Sequence, residues 1–224
     1  MEKTNNKIIF HAIFIVITFF ILFINVLPSL YAASLSFNSD EAFHAREIWE
    51  LLQGRNFFQY YEEVNYHGII EGLSAIPFLN IFGFHPVSYK LPAIIFYSLF
   101  IWTTFIILRS INPIAGWIST ILLIFPPPWI VGNAVILNVP RALILFLGNL
   151  QFIYLIRYKL GYGKPHITTF LLAFYSGLAI YAYSYAIIQV FTVALVLILT
   201  NAQWKRLRPF LSFHHIIQPF RNLK

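Results

Sequence analysis

Residues Ile8–Asn25 read IIFHAIFIVITFFILFIN, a run without a single charged side chain. A helix needs about 20 apolar residues to cross the hydrocarbon core of a bilayer, and this run, with Val26 and Leu27 beyond it, supplies them. Lys3 and Lys7 precede it, and the small residues Ala32 and Ala33 follow. A signal peptide has a basic start and small residues near its cleavage site too, but its apolar centre is only about 7–15 residues long. The longer run is read as an uncleaved first span. The composition extends that reading to the rest of the chain. Of its 224 residues 59% are hydrophobic and only 10% charged, against about 25% charged in ordinary soluble domains. That is too little polar surface to clothe so apolar a core, and too apolar for disorder. With no cysteine, disulfide and thiolate chemistry are absent.

Further apolar runs fall at about 87–108, 112–126, 141–158, 167–183 and 184–201. The expected architecture is an all-α, polytopic protein of about six spans. Its membrane domain covers 1–202, with a first span over 1–28, a long loop over 29–85 and the remaining spans over 86–202. A basic tail, 203–224, completes it. Cytoplasmic loops carry the excess of Lys and Arg in membrane proteins. With the N-terminus inside, eleven basic residues fall inside, and four fall outside: Arg46, Arg55, Lys90 and Arg141. Both termini are therefore expected in the cytoplasm of a plasma (inner) membrane, with the long loop outside. The tail, with Trp204, Phe210, Phe213 and Phe220, reads as an interfacial segment on an anionic leaflet rather than as a nucleic-acid binder. Pro126-Pro127-Pro128 ends the third span, because proline lacks an N–H and fixes φ. With Gly132, Asn133, Asn138 and Pro140 it makes 126–140 an irregular region.

Seven of the eight acidic residues lie between positions 40 and 71, and none follows Glu71. Acid–base or metal chemistry therefore belongs to the long outer loop. Ser39-Asp40-Glu41-Ala42-Phe43-His44 opens an amphipathic helix: Ser39 or Asp40 can cap it, and acids suit its positive end. Phe43, Ile48, Trp49, Leu51 and Leu52 suggest that it lies on the membrane surface, and Gly54 ends it. A second apolar piece, from Tyr66-His67-Gly68 to Gly83, is interrupted by Gly72 and Pro77. It holds Glu71, a carboxyl group that needs a partner or water in such surroundings. Asp40, His44, His67 and Glu71 are ligand types for a divalent metal, but no tight spacing such as H-E-x-x-H is present. No cofactor is expected. Taken alone, the acids of the first helix also have a plain structural reading as helix-end charges, and a lone histidine is more often scaffold than ligand.

The order of these features resembles the polytopic glycosyltransferases of the GT-C fold. The nearest likeness is to the family-39-like group related to protein O-mannosyltransferases and lipid A aminoarabinose transferases. The resemblance rests on a first span, an outer loop opening Asp40-Glu41, a short helix ending in glycine, Tyr66-His67-Gly68-Ile69-Ile70-Glu71-Gly72-Leu73, Phe82-Gly83 and Tyr89-Lys90-Leu91-Pro92. Gly177–Ala186 is similar to the later span of that group, and the likeness covers about residues 8–201. It implies inverting transfer of a sugar from a polyprenyl-phosphate donor to an acceptor on the outer face. Asp40 would be the general base, with Glu41 beside it. His44, Tyr66, His67 and Glu71 would line the substrate site, and Lys90 and Arg141 would meet the donor phosphate. The leaving group is already an ionised phosphate, so cations rather than a general acid ease its departure.

The chain departs from that group in several places. Phe43 stands where some relatives carry arginine, Lys90 replaces the arginine of R-L-P, and His67-Gly68-Ile69 replaces K-P-P. Full relatives continue through further spans, so the chain matches their N-terminal module. This leaves room for an alternative: a catalytically inactive or truncated GT-C-like protein that binds carrier lipid or joins a second membrane subunit of a split enzyme. A small transporter would place ionisable residues within its spans and often show repeats, and neither is visible.

Overall fold

The computed structural model describes residues 2–35, 39–55, 60, 67–127, 130, 140–162 and 164–207. Among these the regular elements are all helical: α1 (Glu2–Leu35), α2 (Ser39–Leu52), α3 (Ile70–Phe82), α4 (Pro86–Ile111), α5 (Pro113–Ile124), α6 (Arg141–Lys159), α7 (Pro165–Ala182) and α8 (Ile187–Leu207). A short 3-10 turn, Ser184–Ala186, separates α7 from α8, and two isolated bridges are the only extended pairings among the described residues.

Local chemistry sets most boundaries. Proline occupies the first turn of α4, α5 and α7, where its missing N–H costs nothing. His85 Nδ1 accepts from the Val87 N–H at the start of α4, and Asn112 Oδ1 from the Ile114 N–H at the start of α5. Gly54 closes α2 at φ 97°, a left-handed conformation that suits glycine. The Gly54 N–H donates to Leu51 O and the Arg55 N–H to Glu50 O, the bond pair of a Schellman motif.

Helix α4 organises the bundle, packing against α1, α3, α5 and α6, while α6 packs on α7 and α8. On α1 every fourth residue faces inward: Phe14, Thr18, Leu22, Val26 and Leu30 are buried. Leu22, Val26 and Leu30 meet Ile94, Tyr97 and Ile101 of α4 in one core. A second core joins α2, α3 and α4 through Ala45, Ile48, Ala75, Leu79, Tyr89 and Ala93. A third holds α6 against α7 through Leu143, Leu147, Ala179 and Ala182. Polar bonds cross these layers. Asn149 Nδ2 of α6 donates to the Thr103 and Thr104 hydroxyls of α4 at 3.0 and 2.7 Å.

The outside of the bundle is apolar. Ile9, Phe20, Ile24, Leu122, Phe170 and Ile188 are among many large hydrophobic side chains left exposed. Among the described residues two helices are long and apolar enough to cross a membrane, α1 over Ile8–Pro28 and α4. Together these features indicate membrane association, since water does not tolerate so extensive an apolar surface.

Several boundaries differ from the sequence reading. The first helix runs to Leu35, beyond the expected loop start at 29. Helix α3 is continuous through Gly72 and Pro77 rather than interrupted. Buried Gly72, with Ala75 and Leu79, packs it against its neighbours, which outweighs the hydrogen bond lost at Pro77. Helix α8 extends to Leu207, so the start of the expected tail continues a helix. Most of 126–140, and the tail from 208 onward, lie outside the described residues.

Candidate functional site

The described residues singled out between positions 40 and 71 gather at one end of the bundle, where α4 and α6 begin and α7 ends. Helix α2 places there a stripe spaced three and four residues apart: Glu41, His44, Ala45 and Ile48, all buried. Glu47 is buried beside it. The stripe is polar as well as apolar, so α2 seats acids and a histidine against α3 and α4. Phe43 and Trp49, read from the sequence as part of its membrane face, are only half-buried.

Glu41 and Lys90 form the base of the site. Lys90 Nζ lies 3.1 Å from Glu41 Oε1 and 3.2 Å from Oε2, bridging the carboxylate. The two residues are 1% and 0% exposed, so the charges are matched inside the protein. Burying two ions is repaid only by such close pairing. The pair clamps the first turn of α2 onto the second turn of α4. One residue earlier, Asp40 is exposed, with Ser39 Oγ donating to its Oδ1 at 3.3 Å. Ser39 and Asp40 both sit inside the first turn of α2, and the position before them lies outside the described residues.

His67 occupies the centre of the cluster. Its ring lies 6.1 Å from that of His44 and 4.7 Å from that of Tyr183. Its backbone forms an isolated antiparallel bridge with Tyr183, and the Gly68 N–H donates to Ala182 O at 3.2 Å. These contacts strap the loop to the extended backbone that ends α7. A side chain at Gly68 would collide with the Tyr181 carbonyl, so the strap needs glycine there. Burial, then the positive influence of His44 and Arg141, pushes His67 down to about 4, so it is neutral at physiological pH. Arg141, the first residue of α6, thus acts electrostatically on the same histidine.

Glu71, in the first turn of α3, is buried, and its Oε1 has no hydrogen-bond partner among the described residues. Burial pushes its carboxyl up to about 8, which leaves it mostly protonated near neutral pH and able to donate. Tyr66 lies outside the described residues. Among the described residues no group of three His, Asp or Glu side chains is arranged to hold a metal ion.

No family model, curated protein or solved structure matches this chain. The site is therefore read from its own geometry. Asp40, Glu41, His44, His67, Glu71, Lys90 and Arg141 all belong to the elements that meet at this end. Within it Asp40 is exposed, whereas Glu41, Glu47 and Glu71 are buried. Two participants had not been singled out. Glu47, 4.0 Å from the Arg55 guanidinium, is buried beside that stripe, and its three-residue spacing from His44 was a usable signal. Tyr183 meets His67 only through the fold, and nothing local in the sequence marks it.

Proposed function

We propose that the chain is a multi-pass membrane glycosyltransferase of GT-C-like architecture, with both termini cytoplasmic. It transfers a sugar from a polyprenyl-phosphate donor to an acceptor hydroxyl on the extracytoplasmic face. The observation that carries this reading is the division of labour among the carboxyl groups. Glu41 is buried against Lys90, Glu71 is buried and largely protonated, and Asp40 is the exposed carboxyl group at the start of the same helix as Glu41. Inverting displacement needs one such carboxylate, to take the proton from the incoming hydroxyl as the oxygen attacks the anomeric carbon.

Asp40 is the base in this mechanism. The acceptor oxygen forms the new bond, and the bond from the anomeric carbon to the phosphate oxygen breaks with its electron pair going to phosphate. Arg141 stabilises that leaving anion, since a guanidinium matches phosphate geometry and stays charged. Lys90 was a second candidate for the phosphate on sequence grounds. Its burial against Glu41 gives it the role of fixing the base's helix instead. Neutral His67 and protonated Glu71 are suited to hydrogen-bond sugar hydroxyls rather than to carry charge.

The test is sugar release from a panel of labelled polyprenyl-phosphate hexoses and pentoses, using the purified chain beside its Asp40→Asn variant. Turnover that falls by about 100- to 10,000-fold in the variant is expected for loss of a general base. Undiminished turnover by Asp40→Asn would remove Asp40 from that role. Donor binding without turnover in either protein would favour a carrier-lipid binder or one subunit of a split enzyme.

A further inference from the structure

We propose that a groove between α1 and α5, away from the candidate site, holds one acyl chain of an anionic phospholipid whose phosphate binds Arg109. This rests on the membrane placement of the bundle and not on glycosyl transfer.

The groove has a volume of about 340 Å³, within the about 300–1,000 Å³ of small-molecule sites. Phe14, Ile17 and Ile21 of α1 face Trp117, Ile121 and Phe125 across it, and the small side chains Thr18 and Thr120 hollow its wall. It extends along α1 from Phe10 to Ile21, roughly 16 Å at 1.5 Å per residue. That is about half of a ~30 Å hydrocarbon core, the depth of one leaflet. The far end is closed by Asn25 Nδ2 donating to Ile124 O at 3.2 Å.

The near end carries the charge. Arg109, in the last turn of α4, is exposed, and its guanidinium carbon lies 5.7 Å from the Phe10 ring centre and 5.4 Å from that of Phe105. Phe10 itself lines the groove, so the cation sits at its mouth. No ion pair engages Arg109 among the described residues, and no acidic residue follows Glu71 in the sequence. A one-leaflet apolar slot with an arginine at its mouth complements a lipid with an apolar chain and a net negative headgroup. The guanidinium can grip the phosphate through paired hydrogen bonds while its planar face stays on the aromatic rings.

The test uses the full chain purified in mild detergent, incubated with equal amounts of dioleoyl-phosphatidylglycerol and dioleoyl-phosphatidylcholine and read by native mass spectrometry. Retention of phosphatidylglycerol over phosphatidylcholine is expected. Arg109→Gln should lower it about fivefold, the effect of one basic residue at a membrane surface, and Arg109→Lys should keep part of it. Ile121→Trp, which fills the groove from its open side, should lower retention with Arg109 intact. Circular dichroism and thermal unfolding serve to show that each variant is folded. Equal retention of both lipids, no retention, or retention unchanged by either substitution would overturn the proposal. So would loss in Arg109→Gln with none in folded Ile121→Trp, which would leave surface charge without a groove.

Discussion

The pair of Glu41 and Lys90 concentrates the electrostatic risk of the fold in two side chains. Removing either partner strands a buried charge, which costs about 3–5 kcal/mol, whereas replacing both with matched neutral groups can cost little. Glu41→Gln and Lys90→Met should therefore each lower the unfolding midpoint in detergent, and the double variant should recover most of the loss. Additive losses would show that the pair does not act as a unit. Glu71 makes a different prediction. Its carboxyl rises from 4.5 to about 8 on burial. Below the lower value both folded and unfolded chains carry the proton. As pH rises through that window the unfolded chain ionises first, so stability falls. Glu71→Gln should flatten this decline, seen as a smaller difference between midpoints measured at about pH 5 and about pH 8. His67 has the opposite sign. Its value falls from 6.5 to about 4, so its contribution is full above the upper value and is lost as pH drops through the lower one.

Among the elements, the strap formed by 67–69 ties the segment that leads into α3 to the end of α7. Its contacts include a bridge to Tyr183, a hydrogen bond to Ala182 O and a hydrogen bond between the Ile69 backbone and Tyr181, and it lies too close to Tyr181 for any side chain at position 68. The obstacle is backbone, which cannot swing aside. Gly68→Ala should detach the strap and make the 55–67 loop more sensitive to limited proteolysis, with donor transfer lost alongside. Gly148 provides the contrast. A methyl group there would meet the Gln189 amide, the far end of a flexible side chain. Gly148→Ala should leave loop proteolysis near that of the native chain. Equal sensitivity in the two variants would argue against the strap.

For the whole molecule, the decisive feature is that much of its described surface is apolar while Glu41, His44, His67, Glu71 and Lys90 are buried together at one end. The proposed topology can be tested directly because the chain has no cysteine. A single cysteine at Arg46, whose side chain is 73% exposed, should react with a membrane-impermeant maleimide in intact cells. One at Lys164 should react only after the membrane is opened. The reverse pattern would invert the topology, and with it the face on which transfer is proposed to occur.

The sequence by itself determined the all-helical, lipid-compatible class of the protein. It also marked where the apolar helices run, because composition, proline and helix caps act within a few residues of where they stand. It also placed seven of the eight acidic side chains between positions 40 and 71. Only the tertiary structure decided where each of them sits. Neighbours in sequence, Asp40 and Glu41, became an exposed and a buried side chain, because α4 presents Lys90 to the carboxylate of Glu41 inside the protein. The continuity of α3 through Pro77 and the pairing of His67 with Tyr183 were decided in the same way. Each depends on packing or hydrogen bonds with residues far along the chain, which local propensity does not encode.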